Sequence, residues 1–336
     1  MTYIYLDNNA TTQPAPAVVD AMHEMLADHW ANPSSVHRLG QMARQRVELA
    51  RASVAQLLGC RDRDIIFTSG GTESNNLALH GSEFEVLITT AIEHSAVREP
   101  AQALDQPPLY LPTNIDGLID PASLRDALAK LAGKKVMVSI QWANNETGVI
   151  QPIELLASIA REHGAIFHTD ATQVVGKLPV NMQAAGVDMA TVSAHKFHGP
   201  KGVGALYVAR GVSIKSQHQG GPQERDRRGG TENTAAIVGM GVASELAESF
   251  LKDPALAENI AKRRDRFEKS LLEAVPDAQI NGQRSPGTPG SPGTPRLWNT
   301  TNIGFSRLEA EAILLALSEK GVCASAGAAC SSGSLD

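Results

Sequence analysis

The chain has 336 residues, 42% of them apolar and 20% charged, enough to bury one large core, or one large and one small, in a globular protein. Its 30 basic and 36 acidic residues leave a formal net charge of −6, and aromatics make up only 4%, which argues against a general nucleic-acid binder or a base-stacking platform. No apolar run reads as long enough to span a bilayer, Met1 to Asp7 lacks the pattern of a secretory signal, and three scattered cysteines suit a reducing compartment. The expectation is a cytoplasmic chain with no membrane association, no disulfide framework and no metal site.

In chain order, helical spacing predicts a helix over 15–27 and another over 40–58, with Gly59 as its C-cap. Residues 63–68 read as a strand, followed by the loop Ser69-Gly-Gly-Thr-Glu-Ser-Asn75 and a helix through His80. Further strands are expected over 85–90, 135–141, 165–167, 187–192 and 202–208, with helices over 124–131 and 153–163. Such alternation predicts an α/β protein with a parallel sheet between helices, and functional residues at the C-terminal ends of the strands. After about residue 241 the texture changes. Long helices are expected over 238–251 and 255–275, then a surface loop built on a duplicated Ser-Pro-Gly-Thr-Pro (285–295), a strand over 296–305, a helix over 308–320 and an extended piece over 322–324, together a smaller second domain.

Lys196 follows one strand in Ser193-Ala-His-Lys196, and Asp170 follows another in His168-Thr-Asp170, with Gln173 close behind. A lysine and an aspartate on neighbouring strand-end loops suit pyridoxal phosphate. The lysine forms a Schiff base with the aldehyde, and the aspartate keeps the pyridine nitrogen protonated. Gln173 then fits the ring hydroxyl, although Asp170 taken alone reads equally as an N-cap and Gln173 as a surface residue. Gly71 and Thr72 lie where a strand gives way to a helix, a place where backbone N–H groups can cradle a phosphate; Ser193 and His195 can reach the same region. By itself that loop is also an ordinary capped helix start. His94, after the 85–90 strand, reads either as a packing histidine or as a ring that stacks on the cofactor and moves protons. Cys330 lies among small residues in Ala324-Ser-Ala-Gly-Ala-Ala-Cys330, a sequence suited to a mobile loop whose thiolate attacks a bound substrate; Cys60 and Cys323 read as small apolar residues. Of two arginine clusters, 225–228 precedes a glycine-rich turn and fits a place near the phosphate, across a dimer interface, whereas 262–264 reads as a solvated helix face.

Taken together, the motifs Tyr5-Leu-Asp-Asn-Asn-Ala-Thr-Thr12, Asn32-Pro-Ser-Ser-Val-His37, Thr68 to Asn75, Glu93-His94, Asn144-Asn-Glu-Thr-Gly148, Asp170-Ala-Thr-Gln173, Ser193 to Lys196, Arg228-Gly-Gly-Thr231 and Ser325 to Cys330 resemble, in this order, the class V aminotransferase-fold cysteine desulfurases of the iron–sulfur and nitrogen-fixation type. The resemblance implies a fold type I pyridoxal phosphate enzyme with a mostly parallel seven-stranded sheet. It places a large domain over 15–245 and a small one over 1–14 and 246–336. It implies Lys196 as the Schiff-base lysine and base, Asp170 and Gln173 on the ring, His94 stacked on it, and Gly71, Thr72, Ser193 and His195 on the phosphate, with Thr231 supplied by the partner of a homodimer. Asn145 would contact the substrate carboxylate. L-cysteine would leave as L-alanine, with its sulfur on Cys330 as a persulfide for an iron–sulfur scaffold or a sulfur carrier protein.

The same resemblance implies several dozen residues beyond Asp336, carrying an arginine that clamps the substrate carboxylate. The expectation is therefore a small domain incomplete at its C-terminus and weakened cysteine binding. A selenocysteine lyase, another pyridoxal enzyme of this fold, or a cofactor-binding chain with little turnover are the alternatives.

Overall fold

The computed structural model describes residues 3–282 and 294–327. Cys330 and most of the Pro/Gly duplication lie outside the described residues.

A short strand, β1 (Ile4–Tyr5), precedes α1 (Pro16–Ala27) and α2 (Arg38–Leu58). Pro16 stands in the first turn of α1, where its missing N–H is not needed. His37 caps α2 by accepting the N–H of Gly40, and Gly59 ends it at φ 61°, in the left-handed region that glycine enters without a Cβ penalty.

Strands and helices then alternate: β2 (Ile65–Thr68), α3 (Gly71–Gly81), β3 (Val86–Thr90), α4 (Ser95–Gln102), β4 (Leu109–Leu111), α5 (Pro121–Lys130), β5 (Val136–Ser139), α6 (Ile153–Glu162), β6 (Ile166–Asp170), α7 (Met182–Ala185), β7 (Met189–Ser193) and β8 (Gly204–Val208). Among the described residues these strands form one seven-stranded sheet, ordered β2-β8-β7-β6-β5-β3-β4. β8 runs antiparallel to both neighbours, and the other pairings are parallel. β5, β7 and β8 are buried at every residue, which is why they read as unbroken apolar runs: helices cover both faces of the sheet. The expected mostly parallel seven-stranded α/β architecture is therefore the observed one.

The chain continues through the short α8 (Gln223–Asp226), then α9 (Thr234–Leu251), α10 (Pro254–Ala274), β9 (Ala278–Ile280), β10 (Ile303–Phe305), α11 (Ala310–Glu319) and β11 (Val322–Cys323). β1 pairs with β11, and β9 with β10, in separate two-stranded sheets.

Three expectations need correction. The strand predicted over 296–305 is confined to β10, because Leu297 is drawn fully into the core and donates its N–H to Gly148 O at 2.8 Å, so 296–300 follows the large sheet's flank. In the 262–264 cluster, Arg264 is not solvated; it turns inward and donates to Leu297 O at 2.5 Å. Finally, α9 is long and apolar enough to cross a membrane by length and composition. Here it is a core helix: Ala235, Ala236, Ile237, Met240 and Ala243 are buried, and it packs on α1 and α2.

That packing depends on a small residue. A Cβ built on Gly241 would lie 2.6 Å from Ala50 Cβ and 2.7 Å from Ala50 Cα, so α9 crosses α2 at a separation only glycine permits. Gly241→Val is expected to lower unfolding stability by about 1–3 kcal/mol, the usual cost of overpacking, read as a lower urea midpoint. An unchanged midpoint would mean that the crossing is looser than described.

Candidate active site

The sheet delivers the candidate residues to one edge. β2, β3, β5, β6 and β7 run the same way, and their C-terminal ends carry the Ser69–Gly70 loop, the Ile92-Glu93-His94 turn, residues 140–148, Asp170 and Lys196. Asp170, the last residue of β6, pairs in register with Thr191 of β7; Lys196 closes the single 3₁₀ turn that follows β7.

Asp170 is nearly buried, and both its oxygens are held. Oδ2 accepts from Asn75 Nδ2 at 2.8 Å, and Oδ1 accepts from the N–H of Thr172 at 3.0 Å. No helix starts at Asp170, so it is not an N-cap: Oδ1 closes a local turn, and Oδ2 is fixed by a fully buried amide from α3. Asn75 is four residues after Gly71, so both lie on the same face of that helix. Lys196 Nζ donates to the carbonyls of Asn9 (2.6 Å) and Ala10 (2.8 Å). The N-terminal segment is stapled to the lysine turn: Thr12 N–H donates to His195 O at 2.8 Å, and Ala15 N–H donates to His198 O at 3.0 Å. Gln173 Nε2 donates to the same Asn9 carbonyl at 2.9 Å.

The α3 N-terminus has the features of an anion cradle. Gly70 adopts φ 153°, ψ −175°, a conformation essentially closed to other residues, and a Cβ there would meet nothing within 4 Å. No side chain caps the helix. A Cβ on Gly71 would lie 3.4 Å from Thr172 Oγ1 and 3.6 Å from Ser193 Cβ, which places these residues around one corner. Among the described residues, Thr172 Oγ1 and Asn75 Oδ1 are buried without a hydrogen-bond partner, polar atoms of the kind that a bound phosphate and ring would satisfy. Glu73, in the first turn, is tied to Ser69 N–H at 2.7 Å and to Arg228 Nε at 2.8 Å, so the second glycine-rich segment is joined to the cradle through Arg228.

His94 serves as the N-cap of α4, its Nδ1 accepting from Ala96 N–H at 3.1 Å, which leaves Nε2 carrying the ring proton. Burial and the charge of Lys196 push its pKa down against the pull of Asp170. The preceding Glu93 is fully buried, accepts from Thr90 Oγ1 (2.7 Å) and Gln141 N–H (2.9 Å), and is pushed up to about 8 by burial, with the charge of Asp170 adding to the rise. Gln141 Nε2 also donates to Ile92 O at 2.7 Å, fixing the His94 turn to the loop after β5. Asn145 is half-buried; its carbonyl accepts from Asn9 Nδ2 at 3.1 Å, and its side chain makes no hydrogen bond among the described residues.

The structure therefore gathers Lys196, Asp170, Gln173, His94, Gly71, Ser193, His195 and Asn145 around one strand-end edge. Thr72 opens α3 beside them and is exposed. Thr231 is exposed, and its side chain bonds to none of these residues. Cys330 lies outside the described residues. Asn75, Asn9, Glu93 and Lys177 were not singled out as individual residues in the sequence. Cys60 packs against the core, with its thiol pushed up to about 12 chiefly by burial, as a small apolar residue would be placed.

Two histidines give a pH signature. His168 bridges Ser139 Oγ (2.8 Å) and Thr191 Oγ1 (3.1 Å), fully buried, and burial pushes its pKa down to about 4. His195 falls to about 4 as well, from burial first and then the charges of Lys196 and Lys201. Below about 6.5 the unfolded chain takes up protons that the folded chain refuses, so stability drops as pH falls from about 6.5 toward 4. His168→Gln should flatten part of that drop in urea unfolding across this window, and an unaltered slope would contradict the burial argument.

The class-V aminotransferase family matches residues 4–336. A cysteine desulfurase of Nostoc sp. is 46% identical over 344 residues, covering 100% of this chain and 82% of that protein. Among solved structures, a NifS-like protein superposes with a TM-score of 0.88 at 34% identity, covering 96% of this chain and 87% of the other. SspA in complex with cysteine gives 0.79 at 32% identity, covering 98% and 90%. The chain belongs to the class-V aminotransferase family, which is pyridoxal phosphate-dependent, and is similar to its cysteine desulfurases.

Proposed function

We propose that this chain is a pyridoxal phosphate-dependent cysteine desulfurase that turns L-cysteine into L-alanine and places the sulfur on Cys330. The observation that carries the reading is the placing of Lys196 and Asp170 at adjacent strand ends, beside a glycine-opened, uncapped helix N-terminus. The family membership supports the cofactor, and the cysteine bound to SspA supports the substrate class.

In this reading Gly71, Thr72, Ser193 and His195 hold the phosphate, Asp170 meets the ring nitrogen, Gln173 the ring hydroxyl, and His94 lies against the ring. Bound there, pyridoxal phosphate supplies an aldehyde that captures an amine and a ring that accepts the electron pair left at the substrate Cα. Asp170, its oxygens fixed by Asn75 and Thr172 in a nearly dry place, would meet the ring nitrogen and favour a proton there. Asn9 and Ala10 set the lysine's position through their carbonyls. Lys196 Nζ would remove the substrate α-proton. His94, neutral and with only Nε2 protonated, passes a proton to or from the substrate. Asn145 offers its side-chain amide to the carboxylate. The Cys330 thiolate attacks the substrate sulfur: the new S–S bond forms as the C–S bond breaks, the electron pair stays with the carbon skeleton, and protonation releases alanine.

A second copy of the chain completes the reading, supplying Thr231 to its neighbour's phosphate. The exposed Leu26 (67%), Trp30 (69%) and Val36 (88%), along α1 and the approach to α2, support such a contact. The sulfur recipient is an iron–sulfur scaffold or a sulfur carrier protein, since a persulfide is handed on by exchange with another thiol.

The cofactor-loaded chain should release alanine from L-cysteine. Cys330→Ser should abolish that release while keeping the cofactor's absorbance, and Lys196→Ala should cost at least about a hundredfold. Alanine release that survives Cys330→Ser would sink the persulfide step.

A further inference from the structure

Lys177 is a buried charge that the reading above leaves unused. Its side chain is 6% exposed, and among the described residues its ammonium has no carboxylate partner. An isolated buried cation is costly, and burial, followed by the charge of Lys196, pushes its pKa down to about 7. Its surroundings are specific. Nζ donates to Gln173 Oε1 at 2.5 Å, four residues back in the turns that follow β6, and makes a longer contact of 3.4 Å to Asn9 Oδ1. The Lys177 carbonyl accepts from Trp298 Nε1 at 2.8 Å, and that indole packs 5.5 Å, centroid to centroid, from Phe250. The backbone that carries the amine is therefore anchored from the far side.

A side-chain amide has two unlike ends, and its neighbours decide which way it faces. As an ammonium, Nζ can only donate, so it selects the oxygen of Gln173. The amide NH₂ is then left to point at the Asn9 carbonyl, 2.9 Å away, which also receives Lys196 Nζ at 2.6 Å. Turning the amide over would set NH₂ against the ammonium and oxygen against a carbonyl, losing both bonds; even against a neutral amine the bond to the Asn9 carbonyl is lost.

We propose that Lys177 is a positioning residue: through its bond to Gln173 it locks that amide with the NH₂ group toward the Asn9 carbonyl that also receives Lys196 Nζ, the orientation in which Gln173 donates to the ring hydroxyl. The inference rests on the cofactor reading above and adds to it the residue that sets its hydroxyl donor. A lysine serving only to tie down the Trp298 region would leave the cofactor's electronic state alone, and that difference is measurable.

The test uses the full chain loaded with pyridoxal phosphate, reading the absorbance maximum of the bound cofactor and its dissociation constant in Lys177→Met, Lys177→Arg, Gln173→Leu and the Gln173→Leu/Lys177→Met pair. Lys177→Leu stands in if the Met variant does not fold. Lys177→Met is expected to move the maximum in the same direction as Gln173→Leu and to weaken cofactor binding about tenfold, the scale of one hydrogen bond lost at a buried polar group. Lys177→Arg, which keeps the donor, should restore both, and the double variant should match Gln173→Leu alone. A normal maximum in Lys177→Met beside a shifted one in Gln173→Leu, or additive effects in the pair, would overturn the proposal alone. A wild-type chain that takes up no cofactor would overturn it together with the cofactor reading.

Discussion

The register that sets Asp170 opposite Thr191 is the constraint on which the rest of the site depends. Side chains alternate faces along a strand, so a slip of one residue between β6 and β7 would turn Asp170 to the opposite face of the sheet and break its bond to Asn75. The register is held by burial: Phe167, His168 and Thr169 on β6 and Met189 to Val192 on β7 are almost completely enclosed, and no alternative pairing keeps His168 between Ser139 and Thr191. The core thus fixes the aspartate, and the aspartate's neighbours fix the chemistry the edge can support.

Electrostatics at this edge follow from the same enclosure. Buried groups are driven toward neutrality: Glu93 upward, and His94, His168, His195 and Lys177 downward. Asp170 keeps two strong donors, from Asn75 and the Thr172 backbone, in a place where other groups shed charge. Lys196 Nζ donates to two backbone carbonyls, of Asn9 and Ala10, which set its position at the edge.

Much of this was legible in the sequence. Apolar runs ending in Asp170 and before Lys196 gave the strand ends, and Gly70 and Gly71 gave the helix start with room for an anion. What escaped reading escaped for physical reasons. β4 is three residues long at the sheet's edge, too short to show a period, and α4 carries Pro100 inside it. The 296–300 segment reads as a strand by composition, but the pull of Leu297 into the core and Trp298 toward Lys177 decides its path. Asn75 and Asn9 act on partners 95 and 187 residues away, and Lys177, after a glycine in a turn, looks like any surface lysine until its burial is seen. Contacts of that range leave no local pattern.

The central claim, that Lys196 is the residue this edge presents to the cofactor, has a direct test. The chain loaded with pyridoxal phosphate is reduced with borohydride, digested, and its peptides are mapped by mass. The account predicts a pyridoxyl group on the peptide containing Lys196 and no other lysine. A pyridoxyl group on Lys177 or Lys201, or none at all, would contradict it.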